Sequence, residues 1–124
     1  MGDTVYRSVR VVLLNATPSQ LVVEGAQILS GEWAPGSPLC AVGGVLRPQS
    51  ASWTTTRSTT LHAGATAVLL LSSVLGPVNL YWSLPWIGKF EIKAEVDRRR
   101  WRAEVDVMSD DPAAIVALVT LKAR

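Results

Sequence analysis

The side chains able to do covalent chemistry are few in this chain. His62 is its only histidine and Cys40 its only cysteine. His62 has no nucleophile beside it and reads as structural or solvent-facing. Cys40 lies among small apolar residues and reads as a packed, inert thiol. One cysteine excludes an intramolecular disulfide, and one His with one Cys falls short of an ordinary transition-metal set. Asp110 and Asp111 are adjacent in a turn, without ligand spacing around them, and read as solvated carboxylates. No glycine-rich phosphate loop follows a strand and opens a helix. Asn15-Ala16-Thr17 matches a glycosylation acceptor, idle without a secretory signal. Neither catalysis, nor a metal, nor a cofactor is expected.

Recognition chemistry is better represented. In the stretch Val78 to Lys89, Val78, Leu80 and Trp82 alternate with Asn79, Tyr81 and Ser83, which is strand periodicity. Pro85 cannot donate to a ladder and pushes Leu84 toward extended geometry, so the strand ends there. Trp86 and Ile87 are then delivered into a turn closed by Gly88. Large apolar residues at a loop tip suggest a surface that buries against something else. The plainer alternative is that Trp82 and Trp86 cap one end of the core. Arg98-Arg99-Arg100-Trp101-Arg102 is the one charge cluster. Arginine beside an aromatic ring can hold phosphates, but a solvated turn whose arginines pair with Glu91, Glu95 and Glu104 accounts for the same residues.

The elements that must position these groups are nearly all strand and turn. Val9, Val11 and Leu13 mark a first strand, and Asn15 to Ser19 a turn. Leu21 to Val23 and Ala26 to Leu29 form a run interrupted at Gly25, a bulge or bend. Ala34 to Gly44 is the longest loop, Ser50 to Thr60 a Thr-rich strand, and Ala65 to Ser72 a buried one. From Lys89 to Val107 the pattern predicts an antiparallel hairpin turning at Asp97 to Arg99. Phe90, Ile92, Ala94 and Val96 and then Trp101, Ala103, Val105 and Val107 face the core, with charges on the other face. Ser109 to Pro112 is a turn. Ala114 to Leu121 reads as a strand rather than a helix, because Ile115, Val116, Val119 and Thr120 are β-branched. About eight short strands make an all-β, antiparallel sandwich, one domain over residues 1–124. At 48% apolar and 18% charged residues the chain is far from the composition of disorder. A net charge of +2 is too mild to indicate nucleic acid. Met1 to Leu14 is a poor secretory signal, so the chain is expected in the cytoplasm when made, or released by a non-classical route.

Leu80-Tyr81-Trp82-Ser83-Leu84-Pro85-Trp86-Ile87-Gly88-Lys89 resembles the Tyr-Trp, Pro-Trp and Lys signature late in the aegerolysins. Ser8 to Trp33, with Ser30-Gly31-Glu32-Trp33 at its end, is similar to that family's opening hairpin. Thr54 to Ser58 with Ala63-Gly64 resembles its central region, and Trp101 to Leu121 its last two strands. The chain departs from the pattern at Leu84, where a cysteine is common, at Thr56 before Arg57, and at Thr66-Ala67.

The resemblance implies an actinoporin-like β-sandwich that binds membrane lipid, sphingolipid headgroups among them. It also implies the recognition half of a two-component pore-forming system with a larger perforin-like partner, and oligomers on membranes. Trp53, Arg57, Tyr81, Trp82, Trp86 and Lys89 are the expected lipid-binding residues, with Tyr81, Trp82 and Trp86 expected to gather at one end of the sandwich with Trp53 and Arg57. Met1 to Tyr6 is too short to line a pore, so binding without autonomous lysis is expected. Two other readings are a carbohydrate module stacking sugars on Trp33, Trp53 or Trp86, and a self-assembling interaction protein, which the mean hydropathy of +0.25 would suit.

Overall fold

The computed structural model describes residues 4–124, so Met1 to Asp3, the start of the segment expected to be too short for a pore helix, lie outside the described residues. Ten strands follow in order: β1 (Arg7–Ala16), β2 (Leu21–Ser30), β3 (Glu32–Trp33), β4 (Val45–Leu46), β5 (Ser50–Ser58), β6 (Ala65–Ser72), β7 (Val78–Leu84), β8 (Glu91–Val96), β9 (Trp101–Ser109) and β10 (Ile115–Ala123). β3 and β4 are only two residues long, which leaves eight longer strands as the turn spacing predicts. They form two five-stranded sheets, β3-β5-β1-β10-β9 and β4-β2-β6-β7-β8. The all-β sandwich is therefore as expected, and two pairings differ; in the first, β1 and β10 run parallel, Val9 opposite Ile115 through Ala16 opposite Lys122. Parallel neighbours need a long crossover, and nearly the whole chain supplies it.

Period-two alternation fills the space between the sheets. Val9, Val11 and Leu13 of β1 and Ile115, Ala117, Val119 and Leu121 of β10 meet Ala67, Leu69 and Leu71 of β6 and Leu80 and Trp82 of β7, all buried. β5 contributes Thr54, Thr56 and Ser58 to the same interior. Thr56 carries a specific bond across the sandwich, since the Trp82 indole Nε1 donates to its Oγ1 at 3.0 Å. Trp33 packs edge-on to Trp82 at 6.2 Å between centroids. The predicted irregularity at Gly25 is present as a register shift between Val23 and Gly25.

Asn15 is fully buried. Its Nδ2 donates to the carbonyls of Ser19, Leu46 and Arg47, and its Oδ1 accepts from Thr17 N and Oγ1. Its polar atoms are spent on the turn and on the backbone at the end of β4, so the acceptor motif it heads is not accessible in the folded chain.

The predicted hairpin from Lys89 to Val107 is not one. β8 pairs with β7, Val96 opposite Val78, while β9 pairs with β10, Trp101 opposite Ala123. Asp97 to Arg100 carries the chain from one sheet to the other, with Arg100 N and Trp101 N both donating to the Asp97 carbonyl. β8 and β9 are thus the edge strands of facing sheets. Alternation cannot tell the two cases apart, because either way one side of each strand faces the core. The edge is open, and burial shows it: Trp101 is 0% exposed, but Val105 and Val107 are 41% and 44% exposed, so neither is core.

Candidate functional site

One end of the sandwich brings three chain segments together. Arg7 opens β1 on the side of the strand that carries Val9, Val11 and Leu13, so a guanidinium occupies the first inward position where the sheets part. On the facing sheet, Trp86 follows Leu84 by two residues across Pro85, continuing the inward side of β7 past its end. The two meet: Arg7 Cζ lies 4.1 Å from the centre of the Trp86 ring. Arg7 Nη1 donates to Tyr6 O at 2.9 Å, and Nη2 reaches Trp86 O at 3.5 Å. The cation over the ring contributes about 0.5–2 kcal/mol, more as water is excluded.

The Tyr6 ring stands edge-on to Trp86 at 6.1 Å and the His62 ring at 5.2 Å. His62 is held there by its loop. A Cβ on Gly64 would lie 2.5 Å from Leu84 O, so only glycine lets the β5–β6 loop press against the end of β7. His62 itself takes a left-handed backbone, φ 69°, a conformation uncommon outside glycine.

Around this cluster the surface is apolar. Ile87, next to Trp86, is 88% exposed and Leu61, next to His62, is 53% exposed; Val5 is exposed as well. Lys89 is exposed two residues beyond Ile87. Beneath that loop a crevice of about 370 Å³ runs between the sheets, walled by Leu84, Phe90, Val107 and Ile115. Among the described residues Arg7 forms no ion pair, so its remaining donors are available to an anion.

The six residues expected to form one site are placed in four surroundings. Trp86 and Lys89 share the loop just described. Trp82 is buried in the core and bonded to Thr56. Tyr81 lies on the outer face of its sheet, in a crevice with Val68, Asn79, Lys93 and Glu95. Trp53 is on the outer face of the opposite sheet, 41% exposed, with Arg10 5.7 Å from its ring centre. Arg57 shares that face but pairs with Glu32 at 3.2 Å. Tyr81, Trp82, Trp53 and Arg57 therefore do not gather with Trp86. Their strand neighbours point to opposite sides, and period two separates Tyr81 from Trp82 by the thickness of the sheet. Arg7, Tyr6 and His62 take their place. A charged residue on the inward parity of β1 was the available signal for Arg7; none marked Tyr6 or His62.

No protein-family model matches the chain, and no curated protein matches its sequence. Solved structures do resemble it. A RahU protein in complex with a TRIS molecule superposes with a TM-score of 0.77 at 10% identity, covering 95% of this chain and 96% of that one. The lipid binding protein Nakanori superposes with a TM-score of 0.76 at 9% identity, covering 95% of this chain and 71% of that one. At such identities the likeness is one of fold.

Proposed function

We propose that this chain binds membrane lipid through the end of the sandwich that carries Arg7, Trp86, Leu61 and Ile87. The observation that carries the reading is Ile87: an isoleucine 88% exposed at a loop tip, beside a tryptophan that holds an arginine with no ion pair among the described residues. Apolar tips gain free energy by entering the acyl boundary, and Trp and Tyr rings suit the interface between headgroup and chain. The Arg7 guanidinium supplies donors for a lipid phosphate. It also covers a face of the Trp86 ring, which disfavours a quaternary amine stacking there, so the headgroup is held by its phosphate. The fold shared with a protein described as lipid binding supports the same reading. Sphingolipids are the first headgroups to test, and the chain acts as the recognition component of a two-component pore-forming system, with a perforin-like partner and oligomers on the membrane. The role is binding rather than catalysis.

Liposome flotation across a lipid panel tests this. Ile87→Asp removes a side chain that is 88% exposed, so the melting temperature stays put while flotation is lost. Flotation equal to that of the parent chain would overturn the reading.

The sugar-stacking alternative has less to stand on. Trp33 is packed against Trp82 and Trp86 is covered by Arg7, which leaves Trp53 with an open ring, itself approached by Arg10.

A further inference from the structure

The opposite end of the molecule carries a second concentration of chemistry. Arg98, Arg99, Arg100, Arg102, Lys122 and Arg124, half of the twelve basic residues of the chain, lie where β8 ends, β9 begins and β10 ends. The expected neutralisation reaches three of the six, and Glu104 is the one expected partner that takes part. Arg99 pairs with Asp97 at 3.5 Å, and Arg102 and Lys122 share Glu104 at 3.3 and 3.5 Å. Neither Glu91 nor Glu95 takes part, because β8 presents them on the outer face of the other sheet. Among the described residues Arg98, Arg100 and Arg124 form no ion pair.

Three of these arginines share one concavity. A crevice of about 310 Å³ opens at the mouth of the gap between β8 and β9, lined by Arg98, Arg102 and Arg124 over Trp101 and Val96. Its frame is pinned. Asp97 Oδ1 accepts from Arg99 N at 3.0 Å, and Arg124 N donates to Arg100 O at 3.0 Å. The Arg124 side chain is oriented by its own bond, Nε donating to Trp101 O at 3.2 Å, which leaves its terminal amino groups free. Buried Trp101 forms the back wall.

We infer that this crevice is a binding site for a phosphoryl group, held by Arg98, Arg102 and Arg124. Guanidinium forks match phosphate oxygens in pairs, and a fixed frame lowers the ordering cost. The phosphoryl group comes either from a soluble phosphorylated ligand or from the headgroup of an anionic phospholipid. The site lies at the other pole from Ile87 and stands independently of the lipid reading made there.

The test uses the full chain at low ionic strength, where unscreened charge gives the largest signal. Two probes separate the sources: inorganic pyrophosphate by calorimetry, and phosphatidylcholine vesicles containing one-fifth phosphatidic acid by flotation with the Ile87→Asp chain. Arg98→Gln/Arg102→Gln is compared with Arg10→Gln/Lys93→Gln, which removes the same charge from exposed positions on the sheet faces. Both pairs are exposed, and unchanged melting confirms that the variants fold. Binding of pyrophosphate weakened at least tenfold by the first pair and less than threefold by the second supports a soluble source. The same pattern in vesicle flotation supports the lipid source. Equal effects of the two pairs, or no binding of either probe, overturns the site.

Discussion

At the scale of single residues, chemistry in this protein depends on which side of a strand a side chain takes. Tyr81 and Trp82 are sequence neighbours, yet one faces solvent and the other spans the core to Thr56. Trp82→Phe keeps most of the ring but removes the donor. The Thr56 hydroxyl is then buried without a partner, at a cost of about 1–3 kcal/mol, to be read from urea denaturation. A variant as stable as the parent would mean that the bond across the sheets contributes nothing. Gly64 is set by a close approach rather than by flexibility. Gly64→Ala places a methyl 2.5 Å from Leu84 O, and overpacking of this kind costs about 1–3 kcal/mol. The same change shifts the loop that holds His62 against Trp86, so Trp86 fluorescence should change along with the melting temperature.

Among the elements, the informative one is the β8–β9 connection. Both strands show unbroken alternation, and from sequence Trp101, Val105 and Val107 are equivalent. The open edge makes them unequal. Trp101→Ala removes a fully buried ring and costs about 3–5 kcal/mol, whereas Val105→Ala, at a position 41% exposed, costs under about 1 kcal/mol. Equal losses would restore the hairpin. The corner itself responds to acid. The backbone N–H of Arg99, then the charges of Arg99 and Arg100, outweigh desolvation and hold the Asp97 carboxyl below its ordinary value of 3.8. A carboxyl depressed in the folded state stabilises above its unfolded pKa, and that contribution is lost as pH falls through the folded value. The Arg99 amide resonance should therefore titrate with a midpoint below 3.8, and Asp97→Asn should abolish the movement.

For the whole molecule, polarity is the dominant property. An apolar, aromatic pole that carries Arg7 and Lys89 stands opposite a pole holding half the basic residues. No helix among the described residues is long and apolar enough to cross a membrane. The β8 and β9 outer faces carry Glu91, Lys93 and Glu95, and Arg102, Glu104 and Asp106. Were these strands to join a barrel with that face toward lipid, each Arg or Lys near the midplane would cost roughly 2–4 kcal/mol. With the charges turned to the lumen, the core residues would have to leave the sandwich. We therefore expect the purified chain to bind liposomes without releasing an entrapped dye. Robust release with no added protein, from vesicles that demonstrably bind it, would refute this.

The local pattern of residues determined the eight longer strands, the turns, the irregularity at Gly25 and the sandwich class, because each follows from period two and from the backbone limits of Gly and Pro. It also determined that Trp86, Ile87 and Lys89 share one loop, since Pro85 ends β7 wherever that strand lies in the sheet. Pairing is another matter. Whether β8 meets β9 or faces it across a gap depends on which edges remain free once β7 and β10 have paired, and alternation is the same in both cases. Parallel β1 and β10, the meeting of Arg7 with Trp86 and His62, and the arginines converging over Trp101 join residues from distant parts of the chain. Only the tertiary structure decided those contacts, because no spacing along the sequence encodes them.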